Sequence, residues 1–346
     1  MAGTGVWLPG PVTAWSAVEA GDYDPEQHAA DELIAVRVAS DDVAPPDMAV
    51  HAAVAAVKRA ESAGLDPEGV GLLLHTSIWF QGVEMWPAAS YVAGHALGSS
   101  VPALGVRQEC NAGVGALEIA AGQLAAGLAG EAAMVTTADR FGEPMIRRWS
   151  SEPGFVYGDG GTAVLLSRRS GFATLLSTAT GVDNTLEAVM RGSGFRPVPT
   201  REPLDLNGRV AHYMKHHGGM RRASTRVAGI VRETVGTALA DAGVALDEIT
   251  RIVVPASGRS RMDWQAQQVL DIPLERSSWE FARQVGHLGA GDQFAGLNHL
   301  VEHRHLRAGD TVLLVGGGSG FSCTCAVLRI DDEPDWTPVG IGEVRQ

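Results

Sequence analysis

Two segments that lie far apart in this 346-residue chain follow the same order of predicted elements, and this repetition constrains the fold more than any other feature. The segments AGEAAMVTTA and AGDTVLLVGG, at 129–138 and 308–317, each follow a predicted helix and run into an apolar strand. An internal duplication is the economical explanation for two such units in one chain. We therefore predict an α/β protein built from two halves, 1–175 and 176–346, which suits a chain too long for one small module.

Short apolar runs alternate with Ala- and Leu-rich segments, which is typical of buried strands and packed helices. The first half has predicted strands at 71–77, 103–109 and 132–138, a helix at 111–128, and a Gly-rich turn that runs into a strand at 158–166. The second half has predicted strands at 249–255, 310–316 and 322–330 and a helix at 296–306, with 287–292 in the loop before it. The segment 176–222 has weak periodicity and is interpreted as a surface connection or a cap at a substrate entrance.

Composition and charge narrow the classes of protein. Hydrophobic residues make up 45% of the chain and charged residues 19%, which excludes a largely disordered protein. No apolar run reaches the roughly 18 residues that span a bilayer, and no basic head precedes a long apolar core. We therefore expect a cytoplasmic protein without membrane contact. A net charge of −13 argues against nucleic-acid binding, because a phosphate backbone would be repelled.

Three cysteines, an odd number in a chain of this size, argue against a disulfide framework. Cys110 lies between a predicted strand and a predicted helix, where the helix dipole and the free N–H groups of the first turn would lower the pKa of a thiol. The position indicates a catalytic nucleophile, and the alternative is a small buried hydrophobic residue. Cys323 and Cys325 alternate along the last strand without partners of metal-site spacing, so we interpret both as packing residues and predict no metal site.

His287 lies in the Gly-rich segment VGHLGAGDQ, and Asp292 follows five residues later. A carboxylate placed there can orient the imidazole, as it does for a catalytic histidine, so both residues are candidates for one site. His75 lies in an otherwise apolar strand and is either a core histidine with satisfied hydrogen bonds or a pocket residue. The other histidines that matter here have charged or glycine neighbours and are interpreted as solvent-exposed: His216, His217, His299, His303 and His305.

The turn GGGSG at 316–320 follows a predicted strand. It lacks the lysine and the GKS or GKT ending of a phosphate loop, so a phosphate site has little support. A turn that brings backbone N–H groups close to a reacting carbonyl, as in an oxyanion hole, fits the sequence better.

Cys110 at a helix start, GDGGTAVLL at 158–166, a Gly-His loop and a closing VGGGSG turn occur in this order, and together they resemble the thiolase fold. More narrowly, they resemble the ketoacyl-ACP synthase III group, from about residue 3 to residue 330. The resemblance implies two duplicated halves in a five-layered αβαβα arrangement and a homodimer with the nucleophile near its interface. It also implies that Cys110 accepts the acyl group and that the N–H groups of Cys110 and Gly317 form the oxyanion hole.

Two positions depart from the condensing members of this group, which carry a histidine in a VPHQAN-type segment and an asparagine in a GNT-type segment. Here those places hold Ala256 and His287. The family's two side chains donate hydrogen bonds to the enolate formed when malonyl-ACP decarboxylates, and losing one such donor typically costs about 10²–10³ in rate. The resemblance therefore implies plain acyl transfer, in which Cys110 takes an acyl group from a thioester and His287, held by Asp292, deprotonates a hydroxyl or amine acceptor.

Acyltransferases of this kind are similar to those of antibiotic pathways, which esterify sugars and other hydroxyls. Two alternatives stay open. One is a starter-unit ketosynthase III that primes a polyketide synthase by decarboxylative condensation. The other, from a different class, is a non-catalytic scaffold or gatekeeper of a synthase complex, against which the intact Cys-His-Asp set argues.

The resemblance implies acyl-CoA or a phosphopantetheinyl acyl carrier protein as co-substrate and no permanently bound cofactor. Carrier proteins are acidic, so a chain of net charge −13 needs a local basic patch to receive one. Arg261 falls where the family places a docking arginine, and Arg259, Arg221, Arg222 and Arg226 could extend the patch. CoA phosphates would use the same cations, and an ordinary surface role is the alternative for each arginine.

Aromatic residues make up only 6% of the chain, yet several of them lie within 78–91, after a predicted strand end where α/β folds place ligand-binding loops. We predict an apolar platform for a ring-shaped acceptor, with Gln81 or Glu84 fixing its orientation. The alternative is a dimer contact or a packed loop. The platform residues are Trp79, Phe80, Met85 and Trp86.

Overall fold

Strands and helices alternate along the part of the chain that the computed structural model describes, residues 1–169 and 171–338. The strands are β1 (Gly3–Trp7), β2 (Pro11–Thr13), β3 (Ala35–Arg37), β4 (Val70–Thr76), β5 (Ala103–Val106), β6 (Ala132–Asp139), β7 (Gly160–Ser167), β8 (Ala173–Val182), β9 (Arg251–Val253), β10 (Thr311–Val315) and β11 (Ser322–Ile330). The helices are α1 (Ala14–Ala20), α2 (Pro25–Asp31), α3 (Pro45–Ser62), α4 (Ala88–Ala96), α5 (Ala112–Ala125), α6 (Ala188–Arg191), α7 (Leu206–His216), α8 (Met220–Ala242), α9 (Arg259–Asp263), α10 (Trp279–Ala282) and α11 (Asp292–Glu302).

The two larger sheets have the same strand order and the same strand directions. The first sheet runs β1-β7-β6-β4-β5, and the second runs β8-β11-β10-β9. In each sheet two antiparallel pairings are followed by a parallel one. A parallel bridge between Ile252 and Ser277 stands where β5 stands in the first sheet. This repetition supports two duplicated halves. β8 begins the second sheet at Ala173, so the boundary between 1–175 and 176–346 would cut a strand, and these bounds stay a proposal. Positions 339–346 of the second half lie outside the described residues.

Helices cover both outer faces of the sheets and also fill the space between them. α3 and α4 pack on the outside of the first sheet, α8 packs on the outside of the second, and α5 and α11 lie between the two. The αβαβα order confirms the predicted five-layered α/β class. α5 consists mainly of small residues and α11 is buried along most of its length, as helices enclosed on two sides must be.

Several element bounds differ from the sequence-based expectation. α11 begins at Asp292 rather than at 296, because the Gly-rich turn before it leads directly into the helix. The strand expected at 103–109 ends at Val106, and a 3₁₀ turn at Glu109–Asn111 precedes α5. The segment 176–222 is more regular than predicted, since it holds the end of β8, all of α6 and α7, and the start of α8. α7 and α8 are amphipathic, with an apolar side that packs and a polar side that is exposed, so the expectation of weak periodicity is wrong for these two helices.

Apolar cores fill the spaces between the layers: one around α5 and α11, one beneath α8 and one beneath α3. Within residues 1–169 and 171–338, no helix combines the length and the apolar character needed to cross a membrane.

Candidate active site

Cys110 lies in the turn between β5 and α5, at the edge of the central helical layer. The residue before it, Glu109, has a φ of 48°, which bends the chain so that the thiol lines a cavity. Asn111 fastens this turn to β11. Its side-chain N–H₂ donates to the hydroxyls of Ser322 and Thr324 at 3.1 and 3.0 Å, and its side-chain oxygen accepts from the Thr324 N–H at 2.9 Å. The nucleophile therefore stands on a rigid support.

The loop that carries His287 packs directly against the start of α5. Gly113 permits this approach, because a Cβ there would stand 2.2 Å from the carbonyl oxygen of Ala290. Two backbone hydrogen bonds hold His287 itself: its N–H donates to the carbonyl of Val156 at 2.8 Å, and its carbonyl accepts from the N–H of Gly158 at 2.9 Å. Close packing and backbone pairing together fix the imidazole beside the cysteine.

Cys110, His287 and Asp292 form a hydrogen-bonded row. The Sγ of Cys110 lies 3.0 Å from Nε2 of His287, and Nδ1 of His287 lies 2.6 Å from Oδ2 of Asp292. A carboxylate only accepts, so Nδ1 donates its proton to Asp292 and Nε2 is left to accept the thiol proton. In this geometry the histidine can act as the base that activates a nucleophile for acyl transfer.

Asp292 is 5% exposed, and backbone donors satisfy its carboxylate. Oδ1 accepts from the N–H of Leu288 and Oδ2 also accepts from the N–H of Ala256, both at 2.7 Å. Ala256 occupies the place of the histidine in condensing members of the resembled family. In this chain the backbone N–H of Ala256 supports the carboxylate of Asp292, and the alanine side chain offers no imidazole to the cavity.

Burial raises the pKa of the Cys110 thiol, and the adjacent His287 only partly offsets this. The result differs from the lowered pKa expected at a helix start, because desolvation of the sulfur outweighs its favourable neighbours. For His287, burial acts to lower the pKa, but Asp292 and Cys110 outweigh it and raise the pKa well above its ordinary value. Because the charges of Asp292 and of the Cys110 thiolate stabilise a protonated imidazole, the site favours transfer of the thiol proton to His287 as the sulfur attacks.

The glycine turn after β10 runs beside the Cys110 turn. The N–H groups of Gly316 and Gly318 bond back to β11 at 2.8 and 2.9 Å, whereas that of Gly317 finds no hydrogen-bond partner within the described residues. Gly317 and Cys110 both line the cavity. The N–H of Gly317 is therefore available to a substrate oxygen, as the oxyanion-hole hypothesis requires.

A cavity of about 520 Å³ opens onto Cys110 and His287, a size suited to a small-molecule substrate. Its wall is largely apolar and comes from the 3₁₀ turn before α6, from α6 and α8, and from residues 254–270. Apolar lining residues include Leu186, Val189, Met190, Val227, Val231 and Trp264. The segment interpreted as a cap contributes Leu186, Val189, Met190 and Met220 to this wall, and the other lining residues of α8 lie beyond that segment.

Sequence reasoning missed Glu152, Phe155 and Tyr157, which also line the cavity. The rings of Phe155 and Tyr157 lie 4.9 and 5.7 Å from the His287 ring. They lie just before the GDGG turn, and this place in the sequence is a signal that could have identified them. Tyr157 forms a β-bridge with the backbone of His287 there.

The predicted aromatic platform does not line the cavity of the single chain. Trp79 packs near Phe141 and Tyr157, whereas Phe80, Met85 and Trp86 are 46%, 105% and 37% exposed. The base of this loop is fixed, because the N–H groups of residues 78 and 79 donate to the buried carboxylate of Asp139 at 2.8–3.0 Å. The platform stays a prediction, and the exposure of its outer residues favours the dimer-contact alternative.

The candidate docking arginines divide into two groups. Arg261 lines the cavity, lies 4.5 Å from the Phe155 ring centre and donates to the carbonyl of Pro153 at 2.9 and 3.1 Å. Arg221 and Arg222 are exposed at the start of α8, between cavity-lining residues of the same helix. Arg259 and Arg226 are held in ion pairs with neighbouring carboxylates. Arg261, Arg221 and Arg222 are therefore better placed to meet a phosphate than the two arginines held in ion pairs.

His75 is a core histidine with satisfied hydrogen bonds, because its ring nitrogens lie 3.0 and 3.1 Å from Thr136 and Gln81. Burial lowers its pKa to about 4, so it stays neutral. Cys323 and Cys325 are fully buried in β11. No group of side chains able to hold a metal ion occurs within residues 1–169 and 171–338. Among the histidines interpreted as exposed, His299 is instead largely buried, where it stacks on Phe281.

Comparison with known proteins identifies the family. Residues 104–184 match the family model of 3-oxoacyl-[acyl-carrier-protein (ACP)] synthase III, and residues 239–330 match the model of its C-terminal part. The beta-ketoacyl-[acyl-carrier-protein] synthase III of Rhizorhabdus wittichii is 28% identical over 278 residues, which cover 80% of this chain and 82% of that protein.

Solved structures show the same relationship. The structure of the acyltransferase ChlB3 is 36% identical and has a TM-score of 0.89, with 97% of this chain and 98% of that one covered. The 3-oxoacyl-[acyl-carrier-protein] synthase III of Aquifex aeolicus is 21% identical with a TM-score of 0.76, over 95% of this chain and 98% of that one, and shares the fold. This chain, with its thiolase-like fold, therefore belongs to the 3-oxoacyl-[acyl-carrier-protein] synthase III family.

Proposed function

We propose that this protein is an acyltransferase that moves an acyl group from a thioester, through an acyl-Cys110 intermediate, to a hydroxyl or amine acceptor in secondary metabolism. The observation that carries the proposal is the row from Cys110 through His287 to Asp292, with distances of 3.0 and 2.6 Å. The similarity to the acyltransferase ChlB3 supports the same reaction class.

The reaction proceeds in two balanced steps. In the first, the Cys110 thiol gives its proton to Nε2 of His287 as sulfur attacks the thioester carbonyl. The thiolate that leaves the donor then takes this proton from His287. In the second, His287 accepts the proton of the acceptor hydroxyl as its oxygen attacks the acyl-cysteine, and the released Cys110 sulfur is reprotonated. The N–H groups of Cys110 and Gly317 would stabilise the oxyanion in both steps.

Decarboxylative condensation has less support. The enolate of a decarboxylating malonyl thioester needs two side-chain donors, and here one of those places is Ala256, whose backbone N–H is already bound to Asp292. His287 occupies the other place and is engaged by Cys110 and Asp292. A starter-unit ketosynthase would have to stabilise the enolate with one donor fewer, at a cost of about 10²–10³ in rate.

The donor thioester would enter past Arg261 and the start of α8. Arg261, Arg221 and Arg222 place positive charge near this side of the cavity in a protein of net charge −13, which favours an acidic carrier protein or the phosphates of CoA. We propose no resident cofactor.

We expect intact Cys110 to become acylated by a short-chain acyl thioester and Cys110→Ala to remain unmodified. Cys110 lines the cavity beside a base, whereas Cys323 and Cys325 are fully buried. Intact-mass measurement after incubation with acyl-CoA and with an acyl carrier protein reports the adduct and the preferred donor. Cys323→Ala is the matched control and should acylate normally. An adduct that persists in Cys110→Ala would overturn the assignment, and no adduct with any thioester would favour the scaffold alternative.

A malonyl thioester separates transfer from condensation. We expect no carbon dioxide release coupled to product formation, because the second enolate donor is missing at Ala256. Carbon dioxide release that tracks a new carbon–carbon bond would instead support the starter-unit ketosynthase.

We further propose a homodimer formed through the open edge of the first sheet. β5 pairs with β4 on one side only within the described residues, and Leu104 on it is 59% exposed. Arg107 donates to the carbonyl of Ile78 at 3.0 Å, which joins this edge to the exposed aromatic loop. An unprotected edge beside apolar side chains is typical of an interface.

Leu104→Lys should therefore convert the dimer to a monomer, because a buried, unpaired ammonium opposes edge pairing. Light scattering after size-exclusion chromatography measures the mass. Val198→Lys, at another exposed apolar residue, is the control and should leave the dimer intact. A dimer that survives Leu104→Lys unchanged would place the interface elsewhere.

A further inference from the structure

We propose that Glu152, fixed by Tyr157, binds a second hydroxyl of the acceptor, so that the enzyme selects acceptors with a vicinal diol rather than an isolated alcohol. This inference rests on the proposed transfer to a hydroxyl. It adds a specificity-determining residue to the three that perform the chemistry, and it gives a chemical class to the acceptor.

Glu152 and Tyr157 are linked through the backbone to the base. Tyr157 forms an isolated parallel bridge with His287, and a tight turn from Glu152 to Phe155 precedes it, closed by a hydrogen bond of 3.1 Å. The Tyr157 ring lies 5.7 Å from the His287 ring. Any movement of this short segment would disturb His287 as well, so the position of Glu152 is tied to that of the base.

The Tyr157 hydroxyl donates to Oε2 of Glu152 at 2.8 Å. Burial and the neighbouring Glu152 raise the pKa of Tyr157 well above its ordinary value, so the phenol keeps its proton and donates in this direction. The bond leaves Oε1 of Glu152 without a hydrogen-bond partner within the described residues, although the side chain lines the cavity. The carboxylate is therefore oriented by one oxygen and presents the other to a ligand.

Proton transfer from Cys110 does not use Glu152, because the row through His287 to Asp292 is complete without it. The other carboxylate among the described lining residues, Glu109, lies in the field of Arg107 and Arg209. Glu152 has the neutral Tyr157 as its hydrogen-bond partner, and Arg261, whose Nε and Nη2 donate to the carbonyl of Pro153, forms no ion pair with it within the described residues. Oε1 of Glu152 therefore lacks a donor from the described part of the chain, on a largely apolar wall, and we infer that the substrate supplies one.

A carboxylate accepts and never donates, so its ligand must present an O–H or N–H group. The hydroxyl that attacks the acyl-cysteine has to lie at Nε2 of His287, and Glu152 lines the same cavity, close enough for its charge to act on the Cys110 thiol. A hydroxyl on the carbon next to the attacking one is the simplest group that meets both residues. Polyols such as sugars and cyclitols carry this arrangement.

The test compares the discharge of isolated acyl-Cys110 enzyme by ethanol and by ethylene glycol, which differ in the second hydroxyl. Intact mass against time gives the rate for each alcohol. We expect wild-type enzyme to prefer the glycol by about tenfold or more beyond the statistical advantage of its two hydroxyls, the range of a hydrogen bond to a charged group. In Glu152→Gln the amide oxygen would take the Tyr157 bond and turn its N–H₂ to the cavity, where the second hydroxyl meets only a neutral partner, so the preference should fall several-fold.

Two comparisons isolate the residue. Tyr157→Phe frees the carboxylate to rotate and should reduce the preference partly, whereas Glu61→Gln, at an exposed residue of α3, should leave it unchanged. Because the Glu152 charge contributes to the raised pKa of Cys110, acylation by the donor thioester is measured separately, and it should not be slower in Glu152→Gln than in wild type. A preference retained undiminished in Glu152→Gln, or a loss confined to the acylation step, overturns the inference while the proposed function stands. Failure of every alcohol to discharge the acyl-enzyme overturns transfer to hydroxyls, and the inference with it.

Discussion

Replacement of His287 by alanine is expected to slow transfer from acyl-Cys110 to the acceptor by about 10²–10⁴, the contribution of a well-placed general base. Burial raises the pKa of Cys110, so first acylation should also slow, because little thiolate forms without a base. Acylation of the variant should then accelerate with rising pH by about tenfold per unit below the thiol pKa, since the thiolate is the nucleophile. Quenched-flow sampling with intact-mass detection measures each half-reaction separately.

Asp292→Asn tests whether Asp292 acts mainly by orienting the His287 ring. The asparagine can still accept the Nδ1–H of His287, but it lacks the charge that raises the pKa of the imidazole. If Asp292 mainly orients the ring, this variant should lose less activity than His287→Ala. His75→Ala serves as the control for loss of a buried histidine, because His75 bonds to Thr136 and Gln81 instead. Equal and complete loss of first acylation in both site variants would mean that His287 serves chiefly to activate the thiol.

The chemistry-bearing residues could be predicted from the sequence because local motifs mark them. Cys110 stands at a strand-to-helix turn, and His287 and Asp292 share one short Gly-rich segment. Spacing joined only the second pair, and the resemblance to the synthase III group supplied the expectation that Cys110 lies beside them. Their pKa directions could not be predicted, since they depend on how completely α5, α11 and the glycine turn enclose the sulfur. An argument from the helix start considers one favourable interaction and omits desolvation. At Cys110 desolvation is the larger effect and raises the pKa of the thiol.

The cavity wall was beyond local reasoning for a different reason. α6 and α8 line it although both lie far from Cys110 and His287 in the sequence, and Glu152 meets Tyr157 only because a tight turn folds back on itself. The aromatic loop illustrates the converse. Its composition suggests a ligand platform, but Met85 and Phe80 point into solvent in the single chain. Composition indicates that a loop can form an apolar contact, but only the tertiary structure shows which surface the loop faces.

Gly318→Ala should be among the most damaging small substitutions, with acylation of Cys110 reduced by about 10²–10³, the effect of losing an oxyanion donor. A Cβ on Gly318 would stand 2.6 Å from the carbonyl oxygen of Gln108 and 2.9 Å from both the N and the Cβ of Asn111. Those atoms belong to the turn that carries Cys110, so the glycine turn must retreat and take the N–H of Gly317 with it. Intact-mass acylation rates measure the effect.

Gly122→Ala is the matched control, because a Cβ at that helical position meets nothing within 4 Å. It should leave acylation unchanged and stabilise the fold by about 0.5–1 kcal/mol, as alanine does when it replaces glycine inside a helix. Thermal unfolding of both variants separates the two consequences of Gly318→Ala: a folded protein with slow acylation supports a displaced oxyanion hole. A folded Gly318→Ala enzyme that acylates at the wild-type rate would show that the N–H of Gly317 does not meet the substrate oxygen, and Cys110 would then rely on its own N–H alone.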